Sequence, residues 1–253
     1  MKKIIIICIA ALIGFNSQAQ LWHYGLVGGP SSTWLLNNNV SNIGSELNYA
    51  SSMSGCIGLS LTHNFIEKVG IEIDLIYAGH NQKYTGTINS VTPLSTFTLS
   101  YTDNMKTRYF DIPVLLHLGK SNGFYFEVGP QFSFLMGAKE DLTLTPSDPT
   151  IEYTDKDFKS DFNSFVFAAD IGFGYNVTLS GLLSLNLGLR FGYGVTDAVK
   201  TFPQSDFDVN SNIDHSLPAT YAHFSDFNET TYKHETTNRA FGSFLVGLVM
   251  QIP

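Results

Sequence analysis

The chain has 253 residues, 43% of them hydrophobic and 14% charged, with 14 Lys and Arg set against 22 Asp and Glu. Soluble domains usually carry about 25% charged residues, so something other than surface charge keeps this chain dispersed, and its acidic balance excludes the basic patches that bind nucleic acid. The longest apolar run, Ile4 to Phe15, is shorter than the roughly 20 residues a helix needs to cross a bilayer, so any membrane span must be built from strands.

Met1-Lys2-Lys3 is a basic start, IIIICIAALIGF an apolar middle, and Ser17-Gln18-Ala19 a small-residue cleavage site ahead of Gln20. That order is a cleaved secretory signal, so residues 1–19 are read as a signal peptide and 20–253 as one domain. Cys8 lies inside the apolar run and not at the cleavage site, which argues against a lipid-anchored N-terminus. Cys56 alone remains after cleavage, so the exported chain has no internal disulfide to stabilise it.

Eight segments then alternate with a period of two, which means strand and not helix. The first two, Trp22 to Leu35 and Ser54 to Asn64, show the pattern weakly. The third sets Val69, Ile71, Ile73, Leu75 and Tyr77 against Gly70, Glu72, Asp74, Ile76 and Ala78, and the fourth sets Phe110, Ile112, Val114, Leu116 and Leu118 against Tyr109, Asp111, Pro113, Leu115, His117 and Gly119. The fifth, FYFEVGPQFSFLMG, sets Phe124, Phe126, Val128, Pro130, Phe132, Phe134 and Met136 against Tyr125, Glu127, Gly129, Gln131, Ser133, Leu135 and Gly137. The sixth covers Phe165 to Val177, the seventh Leu183 to Thr196 and the eighth Ser243 to Ile252.

The links alternate strictly. Tight turns fall near NFIEK, GKSNG and TLSG, while long links cover 36–53, 84–106, 139–163 and 198–238. Short turns on one side and long loops on the other are the asymmetry of transmembrane barrels. An eight-stranded barrel is so narrow that side chains fill it, and Phe124, Phe126, Phe132 and Phe134 alone would overfill it. The apolar set is therefore assigned to the lipid side and the small, polar set to the interior. Trp22, Tyr24, Tyr77, Tyr109, Tyr175 and Tyr193 lie toward strand ends, where aromatic girdles belong, although Tyr109 shares the parity of the inward set.

In YGLVGG after the signal, GIEIDLIYAGHNQKY, YFDIPVLLHLGK followed at once by GFYFEVGPQFSFLMGAK, and LNLGLRFGYGVTDA, the chain resembles the PorT-like group of outer-membrane β-barrel proteins of Gram-negative bacteria. The resemblance covers nearly all of the mature chain outside the loops. It implies an eight-stranded outer-membrane barrel, mostly without assigned activity, with some relatives involved in envelope secretion. The chain departs from many outer-membrane barrels in ending Met250-Gln251-Ile252-Pro253 without a terminal aromatic.

The inward set carries Glu72, Asp74, Asp111, Glu127 and Asp170, with Arg190 the clearest inward cation and His117 and Gln131 close by. Charges in a narrow barrel are costly unless paired, so a network centred on Arg190 is expected. Either it plugs the barrel, or its excess carboxylates line a narrow cation pathway. Asp206, Asp208 and Asn210 imitate the first oxygens of a calcium loop, but Ser211 stands at the sixth position and Leu217 at the twelfth. His223 with Ser225, His215 with Ser216, and His63 with Ser60 are the candidate catalytic pairs, and no G-x-S-x-G, phosphate-loop or H-E-x-x-H motif is present.

The reading from sequence is an all-β, eight-stranded antiparallel transmembrane β-barrel in the outer membrane, with short periplasmic turns and long extracellular loops. Its expected role is a scaffold or binding protein of the envelope, accessory to secretion by analogy, and not an enzyme. A narrow solute channel and a lipid-modifying enzyme are the alternatives. No cofactor or metal is expected, and the expected partners are outer-membrane lipid and another envelope protein, not nucleic acid.

Overall fold

The computed structural model describes residues 21–91, 96–120, 122–145, 151–208, 214–226 and 230–252, and the signal-peptide assignment lies outside them. The described strands are β1 (Leu21–Leu36), β2 (Asn48–Ala50), β3 (Met53–Ile66), β4 (Val69–Val91), β5 (Thr96–Gly119), β6 (Gly123–Thr145), β7 (Ile151–Asp157), β8 (Phe165–Thr178), β9 (Leu183–Gly194) and β10 (Asn238–Ile252). Eight of them pair antiparallel with both neighbours in the order β1-β3-β4-β5-β6-β8-β9-β10 and back to β1, which closes a ring. β2 and β7 are short additions on β4 and β6.

The ring is inside-out relative to a soluble protein. Phe124 is 82% exposed while Asp74 is fully buried, and the same contrast runs round the wall. Leu26, Ile57, Leu75, Leu116, Val128, Phe173, Phe191 and Val246 all face outward. Closure gives every strand of the ring a hydrogen-bonded neighbour on both sides, the condition for crossing hydrocarbon with strands. On β8 the outward apolar positions run from Phe165 to Val177; at ~3.3 Å per residue and a tilt near 40° they cover roughly 30 Å, the thickness of a bilayer's hydrocarbon core. Among the described residues, no helix is long and apolar enough to cross a membrane.

At one rim Trp22 and Tyr24 are exposed, as are Phe124 and Tyr175, whose rings meet edge to face at 4.8 Å. At the other rim Trp34 and Tyr193 flank Ala240 on the adjoining strands. Tyr109 is not part of a girdle: it is buried and points into the lumen, as its parity requires.

Two segments expected to be loops are strands. β4 and β5 pair in a single register from Val69 with Leu118 up to Val91 with Thr96, so the described residues between 84 and 106 continue the two strands as a hairpin, and β6 follows β5 up to Thr145. The reason is physical: above the membrane both faces of a strand can be polar, so apolar alternation stops at the membrane edge while pairing continues. Outward positions on β5 change there from Phe110 to Arg108, Lys106 and Asn104. A bulge opposite Arg108 and Tyr109 also shifts the parity of β6, so that Leu135 and then Ala138 and Glu140 face inward.

The described parts of the links 36–53 and 198–238 fold down as a cap. It includes helix α1 (Asn38–Ile43), capped by the Asn37 side chain, and helix α2 (Leu217–His223), capped by Ser216. A core of Leu35, Met105, Phe158, Phe162, Val199, Ala219 and Ala222 joins the cap to the barrel.

Small residues make room for the lumen's contents. A side chain at Gly174 or Gly188 would collide with the Tyr125 hydroxyl, and one at Gly192 with the Phe241 ring. Gly174→Val should therefore cost about 1–3 kcal/mol through overpacking and lower the urea midpoint of the lipid-embedded barrel, whereas Gly181→Ala, in an open turn with nothing near its Cβ position, should leave it unchanged.

Candidate functional site in the barrel lumen

The lumen holds two storeys of buried charge. Arg190 on β9 organises the lower one, on the side of the short turns. Its cross-strand neighbours are Gly172 and Ser243, small residues that leave the guanidinium free to reach across the barrel. Nη1 donates to Asp74 Oδ2 at 2.6 Å, and Nη2 donates at 3.0 Å to both Glu72 Oε1 and Glu127 Oε2. One cation thus serves three carboxylates from β4 and β6. His117 lies beside them, with Nδ1 3.3 Å from Glu127 Oε1 and 3.6 Å from Glu72 Oε2. Thr62 donates to Glu72 Oε2 at 3.0 Å, and Tyr125 donates to Asn186 at 3.0 Å.

Arg239 on β10 organises the upper storey. It donates to Ser133 Oγ at 2.6 Å, lies 3.8 Å from Asp111 Oδ1, and stacks over the Tyr109 ring at 4.4 Å. His80 Nε2 is 2.8 Å from Asp111 Oδ2, and its Nδ1 is 3.0 Å from Thr33 Oγ1. Because a carboxylate only accepts, Nε2 carries the ring proton. With its amide turned to suit both neighbours, Gln131 donates to Asp170 Oδ2 at 2.8 Å and accepts from Arg239 at 3.2 Å.

Thr33, His80 and Asp111 stand in the order of a nucleophile, a base and its orienting acid, but all three are sealed. The cavity beside them measures about 20 Å³, room for a water and not for a substrate.

All six residues expected to form the network, Glu72, Asp74, Asp111, Glu127, Asp170 and Arg190, point inward and are buried. They do not form one cluster: Asp111 and Asp170 belong to the storey of Arg239. Arg239 and His80 were missed because the apolar alternation of their strands ends before reaching them. Continuing in steps of two, from Ser243 to Phe241 to Arg239 and from Ala78 to His80, would have found both.

The candidate catalytic pairs are not assembled. His223 uses both ring nitrogens on backbone groups, the Ala219 carbonyl at 2.8 Å and the Phe202 N–H at 2.9 Å, and burial lowers its pKa below the usual imidazole value. His215 Nδ1 is 3.3 Å from Asp161, whose other oxygen accepts from the Ser216 N–H at 2.6 Å. His63 packs against Trp22 with ring centroids 4.2 Å apart and planes tilted by 33°, while Ser60 lines the lumen. In the calcium-like segment Asp206 and Asp208 are described, whereas Asn210 and Ser211 lie outside the described residues. Leu217, at the twelfth position, opens α2 and packs against the cluster of Val40 and Tyr84, so it offers no ligand.

A family model described as "Outer membrane protein beta-barrel domain" matches residues 16–200. Solved structures with a similar fold include Neisserial surface protein A, at 9% identity and a TM-score of 0.36, covering 90% of this chain and 96% of that one. OprG from Pseudomonas aeruginosa is 12% identical with a TM-score of 0.32, covering 91% and 95%. The outer membrane protease OmpT from Escherichia coli is 8% identical with a TM-score of 0.33, covering 94% and 100%. No curated protein is a significant match.

The expectation that the chain is not an enzyme is corrected by this set: it includes a protease, so the barrel fold is no argument against catalysis. The missing motifs are none either, because a barrel gathers reactive groups from separate strands and needs no local signature.

Arg190→Met should cost at least about 3 kcal/mol, the scale on which a broken buried ion pair destabilises, because Glu72, Asp74 and Glu127 would face one another without their cation. Adding Glu72→Gln and Asp74→Asn to that variant should recover most of the loss in urea unfolding. Equal stability of Arg190→Met and the parent would mean that the guanidinium does not hold the lumen together.

Proposed function

Because this chain belongs to the outer membrane protein β-barrel domain family, with the model matching residues 16–200, we propose that it is a closed binding barrel: a plugged cylinder in outer-membrane lipid whose folded cap engages another envelope component. The observation that carries this reading is that two independent fillings lie across the axis. Arg190 and Arg239 tie the lumen to its acids, and above them Met105, Tyr109, Phe162 and Ala222 pack into an apolar core.

The cap is built for permanence. Buried carboxyl groups anchor α2, with Glu140 Oε1 of β6 accepting from the Leu217 N–H at 2.7 Å and Asp161, in the link after β7, accepting from the Ser216 N–H. Asn37 reaches across nearly two hundred residues of chain to the Glu235 carbonyl at 2.8 Å and to Thr237 at 3.0 Å. Such a surface is pre-ordered, which lowers the entropy lost on binding. An accessory role in secretion is the narrower form of this reading, resting on the PorT-like resemblance alone.

Planar-bilayer recordings separate this role from a cation pathway. The parent barrel and Arg190→Ala should both be silent, since the apolar cap core stays in place in each. Steady cation-selective steps from the parent would support the channel instead. Crosslinking from the cap face in native membranes should then trap one stoichiometric envelope protein.

A further inference from the structure

We propose that the lower storey of the lumen is a binding site for one divalent transition-metal ion, zinc first, held by Glu72, Glu127 and His117 and reached from the periplasmic end. The donor set points to it. Arg190 engages Oε1 of Glu72 and Oε2 of Glu127, which leaves one oxygen of each carboxylate facing the same ring nitrogen, His117 Nδ1, at 3.6 and 3.3 Å. All three atoms lie within 4.8 Å of one another. In a tetrahedral zinc site with bonds near 2.1 Å, neighbouring donors are about 3.4 Å apart, so the separations from the imidazole already match the edges of such a site.

A hydrogen bond accounts for less of the geometry. One proton on Nδ1 can be donated to one carboxylate, and two glutamate oxygens converge there. Charge points the same way: with all three carboxyl groups ionised, Glu72, Asp74 and Glu127 set three negative charges against the single Arg190 cation, and one divalent ion would balance the difference.

The surroundings are those of a supported metal site. Thr62 Oγ1 donates to Glu72 Oε2, a ligating oxygen, at 3.0 Å, and Tyr125 stacks on the His117 ring at 4.9 Å and 23°, fixing its orientation. A cavity of about 50 Å³ adjoins the three donors and is lined toward the turns by His23, Asn64 and Lys120. It supplies an entry path and room for a water at the fourth position. Imidazole with two carboxylates selects zinc and its neighbours over calcium or magnesium, which require all-oxygen shells. The site is separate from the cap and does not depend on what the cap binds.

The test is calorimetric titration of zinc chloride into the EDTA-stripped, tag-free barrel in detergent at neutral pH, with folding of every variant checked by urea unfolding. One zinc per chain should bind with micromolar affinity or better. His117→Gln and Glu127→Gln should each weaken it by tenfold or more, and Thr62→Val by roughly tenfold, while His63→Gln and His234→Gln should leave it unchanged. Cobalt should give a tetrahedral absorption band in the parent that is lost in His117→Gln. Absence of zinc binding, or binding that the His117 and Glu127 variants leave intact, would overturn the proposal and leave a proton as the bridge between the glutamates.

Discussion

Inside hydrocarbon a backbone amide has no water to turn to, and the pairing of β1 with β10 along Trp22 to Leu36 is what meets that demand here. Once the first and last strands join, no edge is left, and an outward wall of Phe, Leu, Ile and Val becomes an asset. The low charge content of the chain follows from the same closure: a wall solvated by lipid needs no charged residues to stay dispersed.

Closure also makes the lumen the place where polar residues must be reconciled with burial. In the two storeys the carboxylates of Glu72, Asp74, Asp111, Glu127 and Asp170 and the guanidinium groups of Arg190 and Arg239 face inward and are buried. The barrel manages them by stacking two storeys, each built round one arginine, and by placing histidines at the carboxylate oxygens that the arginines leave unengaged. His80 serves Asp111, and His117 stands between the two glutamates. The lower storey stays short of positive charge and open to the periplasmic end, while the upper is roofed by the cap. Rigidity above and a buried acid cluster beside a small cavity below are different properties of one cylinder.

Much of the fold was legible in the sequence, because alternation reports lipid on one face as directly as it reports a core. Phe124 to Met136 faces outward and Tyr125 to Leu135 inward, as the residue types require. The extensions of β4, β5 and β6 above the membrane were not legible, since a strand with water around it and polar residues within carries no apolar stripe. The bulge at Arg108 and Tyr109, which reverses the parity of β6, leaves no local mark in composition. Of the lumen, membership was readable for Glu72, Asp74, Asp111, Glu127, Asp170 and Arg190, but not the partition into two storeys. Partners such as Arg190 and Asp74 come from strands far apart in sequence, and their meeting depends on stagger that no single strand encodes.

The barrel's fold and its buried polar lumen both require the apolar wall to be in contact with acyl chains. The direct measurement is fluorescence quenching by lipids brominated along their tails, with Trp22 and Trp34 replaced by Phe and one new tryptophan placed at Phe173, on the outward face of β8, or at Thr102, outward on β5 above the apolar band. The account predicts strong quenching of Phe173→Trp and little of Thr102→Trp. Equal, weak quenching at both positions, with both tryptophans open to aqueous acrylamide, would contradict it.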